Sequence, residues 1–143
     1  MKTTRKNTKV EAEHGVVSSF PNDFFGYFGW ASVAKMDDGT LVVAASGLRT
    51  EHACPFGRNV ICISRDEGKT WSSPRVVNDS PLDDRDTGVI SLGGPGLLLS
   101  WFTTDKRGRA ERKYPDRAES LRPGLDWVTD ENAQRWVGAW ICT

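Results

Sequence analysis

The sequence predicts an all-β fold built from repeated antiparallel meanders, and three observations predict it. Residues 32–45 and 88–101 align without a gap, and each reads as a short apolar strand, a Gly-containing turn and a second apolar strand, the pattern of a β-hairpin. The stretch Ser64-Arg65-Asp66-Glu67-Gly68-Lys69-Thr70-Trp71 lies between two further apolar runs and has the composition of a tight turn. Six tryptophans among Gly-rich turns suit short strands stapled together by aromatic rings.

The elements follow in order. In the first unit, strand A is expected over roughly residues 31–36 and strand B over 40–45. A loop follows over 46–58, then strand C over 59–64 and strand D over 74–77. The turn between C and D reads Ser-x-Asp-x-Gly-x-Thr-Trp, and each fixed position has a physical task. Asp66 accepts hydrogen bonds from backbone N–H groups in an Asx-type turn, and Gly68 supplies a backbone angle that side chains disfavour. Ser64 and Thr70 are short polar braces, and Trp71 is an apolar anchor. In the second unit, strand A is expected over 87–92 and strand B over 97–103, then a long charged loop over 104–134 and strand C over 135–143. That loop, partly helical near 130–135, is either a solvated excursion or a lid over a binding face. Residues 139–143 resemble residues 60–64 in order, which would place Thr143 where Ser64 opens the turn motif.

The two units repeat at about 56 residues, near the period of a propeller blade with a long loop. The expected fold is therefore a partial β-propeller of about two blades. Residues 1–28 form a leader with a possible ring-closing strand at 14–20, residues 29–80 the first blade, and residues 81–143 a second, incomplete one. Two blades leave apolar faces and a strand edge uncovered, so the chain reads as a fragment of a larger propeller, marginal or aggregation-prone by itself.

Composition narrows the function. Formal net charge is zero, which speaks against nucleic acid or an anionic membrane as the main partner. No apolar run reaches the ~20 residues of a membrane-spanning helix. The first nine residues are basic with no apolar run behind them, so they read as a disordered leader and not as a secretory signal; the compartment stays open. Cys54, Cys62 and Cys142 have no metal-ligand spacing. Cys62 and Cys142 fall in strand-like runs and are expected as small buried hydrophobes, and an odd count gives no disulfide framework. The residues require neither a metal nor a cofactor. The tryptophans serve packing, sugar stacking, or both.

Meander geometry brings three segments to one end of the blades, opposite the turn motif: residues 28–32, 48–58 and 82–88. Arg49, Arg58 and Arg85 are forked donors suited to a substrate carboxylate. Glu51, Asp83, Asp84 and Asp86 are carboxylates available to sugar hydroxyls or protons, with Asp84 and Asp86 the catalytic candidates among them. His52 can bind substrate or shuttle a proton. The alternative is structural, since Asp-Arg-Asp clusters also pair internally and a loop histidine also serves as a plain hydrogen-bonder.

The turn motif Ser64, Asp66, Gly68, Thr70, Trp71 is an Asp-box, and with Trp30-Ala31-Ser32-Val33-Ala34-Lys35-Met36-Asp37-Asp38-Gly39-Thr40-Leu41 and Gly47-Leu48-Arg49 it resembles the bacterial-neuraminidase repeats of sialidase-like β-propellers. The resemblance covers roughly residues 29–101. It implies a six-bladed propeller, a glycan partner, further blades to complete the ring, and in the parent protein a glycoside hydrolase acting on terminal sugars. Sialidases of this kind grip a carboxylate with three arginines and use an aspartate as acid/base and a Tyr–Glu pair as nucleophile. Trp30 stands where the first of those arginines is usual, and Phe56 and Arg58 stand near the usual place of the aspartate. No catalytic residue of the family is therefore carried over. The competing reading is a non-catalytic glycan- or protein-binding propeller.

Overall fold

The computed structural model describes residues 11–117 and 128–143. The protein is all-β, with two antiparallel sheets. The first runs in sequence order β1 (Tyr27–Lys35), β2 (Leu41–Arg49), β3 (Arg58–Ser64) and β4 (Arg75–Asn78). The second runs β5 (Asp83–Gly93), β6 (Gly96–Thr104) and β7 (Gly138–Cys142). Each strand pairs with its sequence neighbour, so both sheets are meanders, the arrangement of consecutive blades in a partial propeller.

The repeat read from the sequence is a repeat of register. Ser32 pairs with Ala44 and Lys35 with Leu41; the aligned residues Gly88 and Ser100, and Ser91 and Leu97, pair in the same way. Each unit also has a bulge just before this ladder, between Gly29 and Ser32 and between Arg85 and Gly88. Trp30 and Asp86 occupy equivalent places in these bulges, and both take left-handed backbone angles, φ 52° and 54°. A bulge of this kind re-aims the residues around it, and here it carries both inner strands several residues past their expected starts. β5 begins at Asp83 and β1 at Tyr27.

Alternation along the strands sets the layers. β2 turns Ser46 toward β5, where Ser46 Oγ accepts from Asp86 N at 2.7 Å. Beside it Thr87 Oγ1 donates to Asn59 Oδ1 at 2.8 Å, and Ser32 Oγ to the Thr87 carbonyl at 3.1 Å. The seam between the sheets is thus polar and small at its centre. The other face of the first sheet presents Val43, Ala45, Val60 and Cys62 to Val17 and Ser18 across a pocket of about 180 Å³.

Several expectations are corrected here. Residues 14–20 form no strand; Val17 and Ser18 lie against a sheet face and not along an edge, so the segment has no ladder to join. The leader over residues 1–9 lies outside the described residues. Strand C of the second unit starts at Gly138, because Asp130–Trp136 is a helix, α2, following the short α1 (Arg109–Lys113) and the 3-10 turn Pro115–Arg117. Thr129 caps α2 by accepting from Asn132 N, and Ala133 packs with Leu82 and Val128. β7 also sits one residue off the alignment read from the sequence. Cys142 pairs with Leu99 as Cys62 pairs with Val43, so Cys142 answers to Cys62 and Thr143 to Ile63. Cys62 is buried as expected, whereas Cys142 is exposed on the last strand of its sheet.

Candidate functional site

β2 runs from Leu41, which pairs with Ser64 of the Asp-box, to Arg49 at the far end. Nine residues of strand separate the two poles by roughly 27 Å. The Asp-box is closed on itself. Asp66 Oδ1 accepts from Thr70 N at 2.9 Å and from Ser64 Oγ at 2.8 Å, and Thr70 Oγ1 donates to Asp66 Oδ2 at 2.6 Å. Gly68, at φ 86°, donates its N–H to Ser64 Oγ at 2.8 Å, and Trp71 Nε1 donates to the Gly68 carbonyl at 3.1 Å. Every fixed position of the motif is spent on the turn.

The opposite rim has two layers. The inner one is buried and holds Arg49, Asp83, Asp84 and Cys54. Arg49 bonds Asp83 Oδ1 at 2.6 Å, the Asp84 carbonyl at 2.8 Å, the His52 carbonyl at 3.1 Å and the Glu51 carbonyl at 3.4 Å. With no exposed surface, Arg49 holds the loop and strand β5 together and presents no donor to a substrate. Asp84 is equally buried and accepts from Ser80 N, Ser80 Oγ and Thr103 Oγ1 at 2.6–2.9 Å. It too is structural. Burial pushes the Asp84 carboxyl up, against the pull of those bonds. Burial likewise lifts Asp83 to about 6 despite Arg49 and Arg85 beside it. Cys54 Sγ gathers the loop by accepting from Thr50 N, Thr50 Oγ1 and Phe56 N at 3.2–3.4 Å.

The outer layer is Trp30, His52, Arg85 and Asp86. The Arg85 guanidinium lies over Trp30, 4.8 Å from the ring centroid, and over Phe102 at 5.8 Å. His52 meets the Trp30 edge at 4.7 Å between centroids, and its Nε2 is 3.4 Å from Arg85 Nη2. Arg85 Nε and Asp83 Oδ2 are buried without a hydrogen bond and stand 3.9 Å apart, so the inner edge of the Arg85 fork faces Asp83 at ion-pair distance. Asp86 is exposed, projected from the bulge.

Two further residues flank this layer. Arg58 stands apart with Asp79 at 3.0 Å and Phe25 at 5.6 Å. Glu51 binds Arg109 at 3.1 Å and Lys113 at 3.3 Å, which fastens α1 beside the rim. Partial burial alone would raise the Glu51 carboxyl, but the combined pull of these two cations holds it below its usual range.

The structure therefore brings His52 and the half-buried Arg85 together on Trp30, leaves Asp86 exposed at the neighbouring bulge, buries Arg49 and Asp84, and sets Arg58 to one side. Sequence reasoning missed Trp30 as the platform of the group. Its signal was present in the repeat, since Trp30 occupies the position equivalent to Asp86. Among the described residues no cluster of His, Cys, Asp or Glu is arranged to hold a metal ion. Compared with known proteins, the chain matches no family model, and no curated protein matches it.

Proposed function

We propose that this chain belongs to a sialidase-like β-propeller and that its rim binds the acidic end of a glycan, the remaining blades completing the ring. The observation that carries the reading is Arg85: a guanidinium braced on Trp30 and next to His52, its side chain 13% exposed, at the pole opposite the Asp-box. A forked donor on an aromatic platform is suited to a planar carboxylate. Arg49 and Asp83 act below it as positioning residues. Asp86 is the rim carboxylate left exposed and unpaired among the described residues, and it is the group we assign to proton transfer if the parent protein hydrolyses glycosides.

A second reading, a non-catalytic glycan-binding propeller, is favoured by two details. Trp30 replaces the first arginine of the sialidase pattern, and Asp84 is locked into Ser80 and Thr103.

The test is affinity for N-acetylneuraminic acid measured by NMR titration. Arg85→Ala is expected to weaken binding by about ten- to a hundredfold, the worth of a hydrogen bond to a charged group, and Arg85→Lys to restore little of it. Asp66→Ala is expected to leave affinity unchanged. Equal affinity in wild type and Arg85→Ala removes the rim as the binding site.

A further inference from the structure

The outer end of the second sheet carries a separate pocket of about 240 Å³, walled by both sheets and by α2. We infer that it is a binding site for one uncharged pyranose ring. Trp101 of β6 and Trp140 of β7 are direct cross-strand partners, so their indoles share one face of the sheet. Trp136 closes the group from the end of α2, and its carbonyl accepts from Trp140 Nε1 at 3.1 Å. Trp136 and Trp140 keep 41% and 38% of their surface open. That exposure leaves both indoles open to a ligand entering the concavity.

The polar groups of the pocket select the ligand. Ser80 Oγ and Thr103 Oγ1 both spend their protons on Asp84 Oδ1, at 2.9 and 2.6 Å. Ser80 Oγ also accepts from Leu82 N at 3.2 Å, which leaves it one lone pair, and Thr103 Oγ1 keeps its own, so the floor offers acceptors. At the lip, Arg135 offers donors; its contact with Glu131 is 3.5 Å long, and that carboxylate balances its charge. Apolar walls with a few hydrogen-bonding groups match a sugar ring, whose C–H faces stack on indole and whose hydroxyls both donate and accept. The volume falls below the ~300–1,000 Å³ of sites for larger ligands, which limits the occupant to a single ring. With its one cation already balanced, the pocket has no preference for an anion.

The pocket is distinct from the rim and does not depend on it. Asp84 and Arg85 are successive residues of β5, and successive strand residues point to opposite faces. Asp84 turns to Ser80 and Thr103 of the pocket, and Arg85 turns to Trp30 and Phe102.

The test uses the full chain with methyl β-D-galactopyranoside and methyl β-D-glucopyranoside, read by tryptophan fluorescence and by saturation-transfer NMR. At least one glycoside is expected to give a saturable change with Kd on the order of millimolar, as for a single-ring ligand. Trp140→Ala and Trp136→Ala are each expected to weaken it about tenfold, with far-UV circular dichroism confirming that the sheets persist. Arg85→Ala is expected to bind the neutral glycoside as the wild type does. No saturable change with either glycoside, or unchanged affinity in both tryptophan variants, overturns the pocket. Neither result bears on the rim, which is judged by N-acetylneuraminic acid and Arg85→Ala alone.

Discussion

Asp66 and Asp83 are both aspartates that fold into hydrogen-bonded positions, yet their environments push them in opposite directions. Hydrogen bonds from Thr70 and Ser64 hold the Asp66 carboxyl down at about 2. In the unfolded chain it returns to about 3.8, so between these values the unfolded state binds more protons. The stabilisation from Asp66 is complete above about pH 4 and is lost as pH falls toward 2. Asp83 has the reverse sign: burial raises it to about 6, so its contribution is largest below about pH 4 and declines as pH rises through 6. Asp66→Ala is therefore expected to melt at a lower temperature than the wild type at pH 5, with the gap narrowing steadily down to pH 2. A gap that stays constant over that range in calorimetry would refute the assignment. The difference also explains what could be read in advance. The Asp-box is local, its partners all within a few residues of Asp66, so the motif shows in the sequence. Arg49 and Asp83 meet across more than thirty positions, and nothing in the sequence distinguishes the fully buried Arg49 from the partly exposed Arg85.

At the level of elements, the rim depends on one close approach. A Cβ on Gly57 would overlap the Arg49 guanidinium and the Asp83 carboxylate, both fully buried and fixed by several bonds. Gly57 N–H also closes the loop onto the Cys54 carbonyl, and the Gly57 carbonyl accepts from Asp84 N, joining loop to strand β5. Gly57→Ala is expected to cost about 3–5 kcal/mol, as for other disruptions of a buried ion pair. Gly15→Ala, where a Cβ meets nothing, should stay within about 0.5 kcal/mol. Urea denaturation compares them through the midpoint at constant slope. Strand existence was legible from apolar alternation and turn residues. Strand ends were not, because Gly29-Trp30 and Arg85-Asp86 are polar or bulky residues that stay in the ladder only through a bulge. The register of β7 was ambiguous by one place because Trp140-Ile141-Cys142 is apolar throughout, and in a strand only alternation tells the two faces apart. The helix before it was legible in part: Asp130 to Arg135 is an acidic-to-basic run of the kind that suits a helix dipole.

Across the whole molecule the two sheets are covered unequally. The first sheet has β5 on one face and Val17 and Ser18 on the other. Among the described residues the second has the first sheet on one face and an open surface on the other. On its other face Ile90, Leu92 and Ile141 are 57%, 55% and 72% exposed, and they fall on one side by the pairing of Ile90 with Leu98 and Ser100 with Ile141. In the propeller reading this is the surface that meets the next blade. In the chain as it stands it is an apolar patch next to a β7 edge that pairs with no further strand among the described residues, and both features promote association between copies. The chain is expected to self-associate as concentration rises, seen as a growing weight-average mass in sedimentation equilibrium. Ile141→Lys, and more strongly Ile90→Lys with Ile141→Lys, should return it toward the monomer. A lysine at either exposed position leaves the buried seam of Ser46, Asn59 and Thr87 untouched, so the melting temperature of the dilute protein should hardly change. Val33→Lys is the control: Val33 is 62% exposed, but it belongs to the first sheet and sits away from the open face. If Val33→Lys suppressed association as well as Ile141→Lys did, general charge and not that face would be the cause. If the wild type remained monomeric at every concentration, the second sheet would need no neighbour.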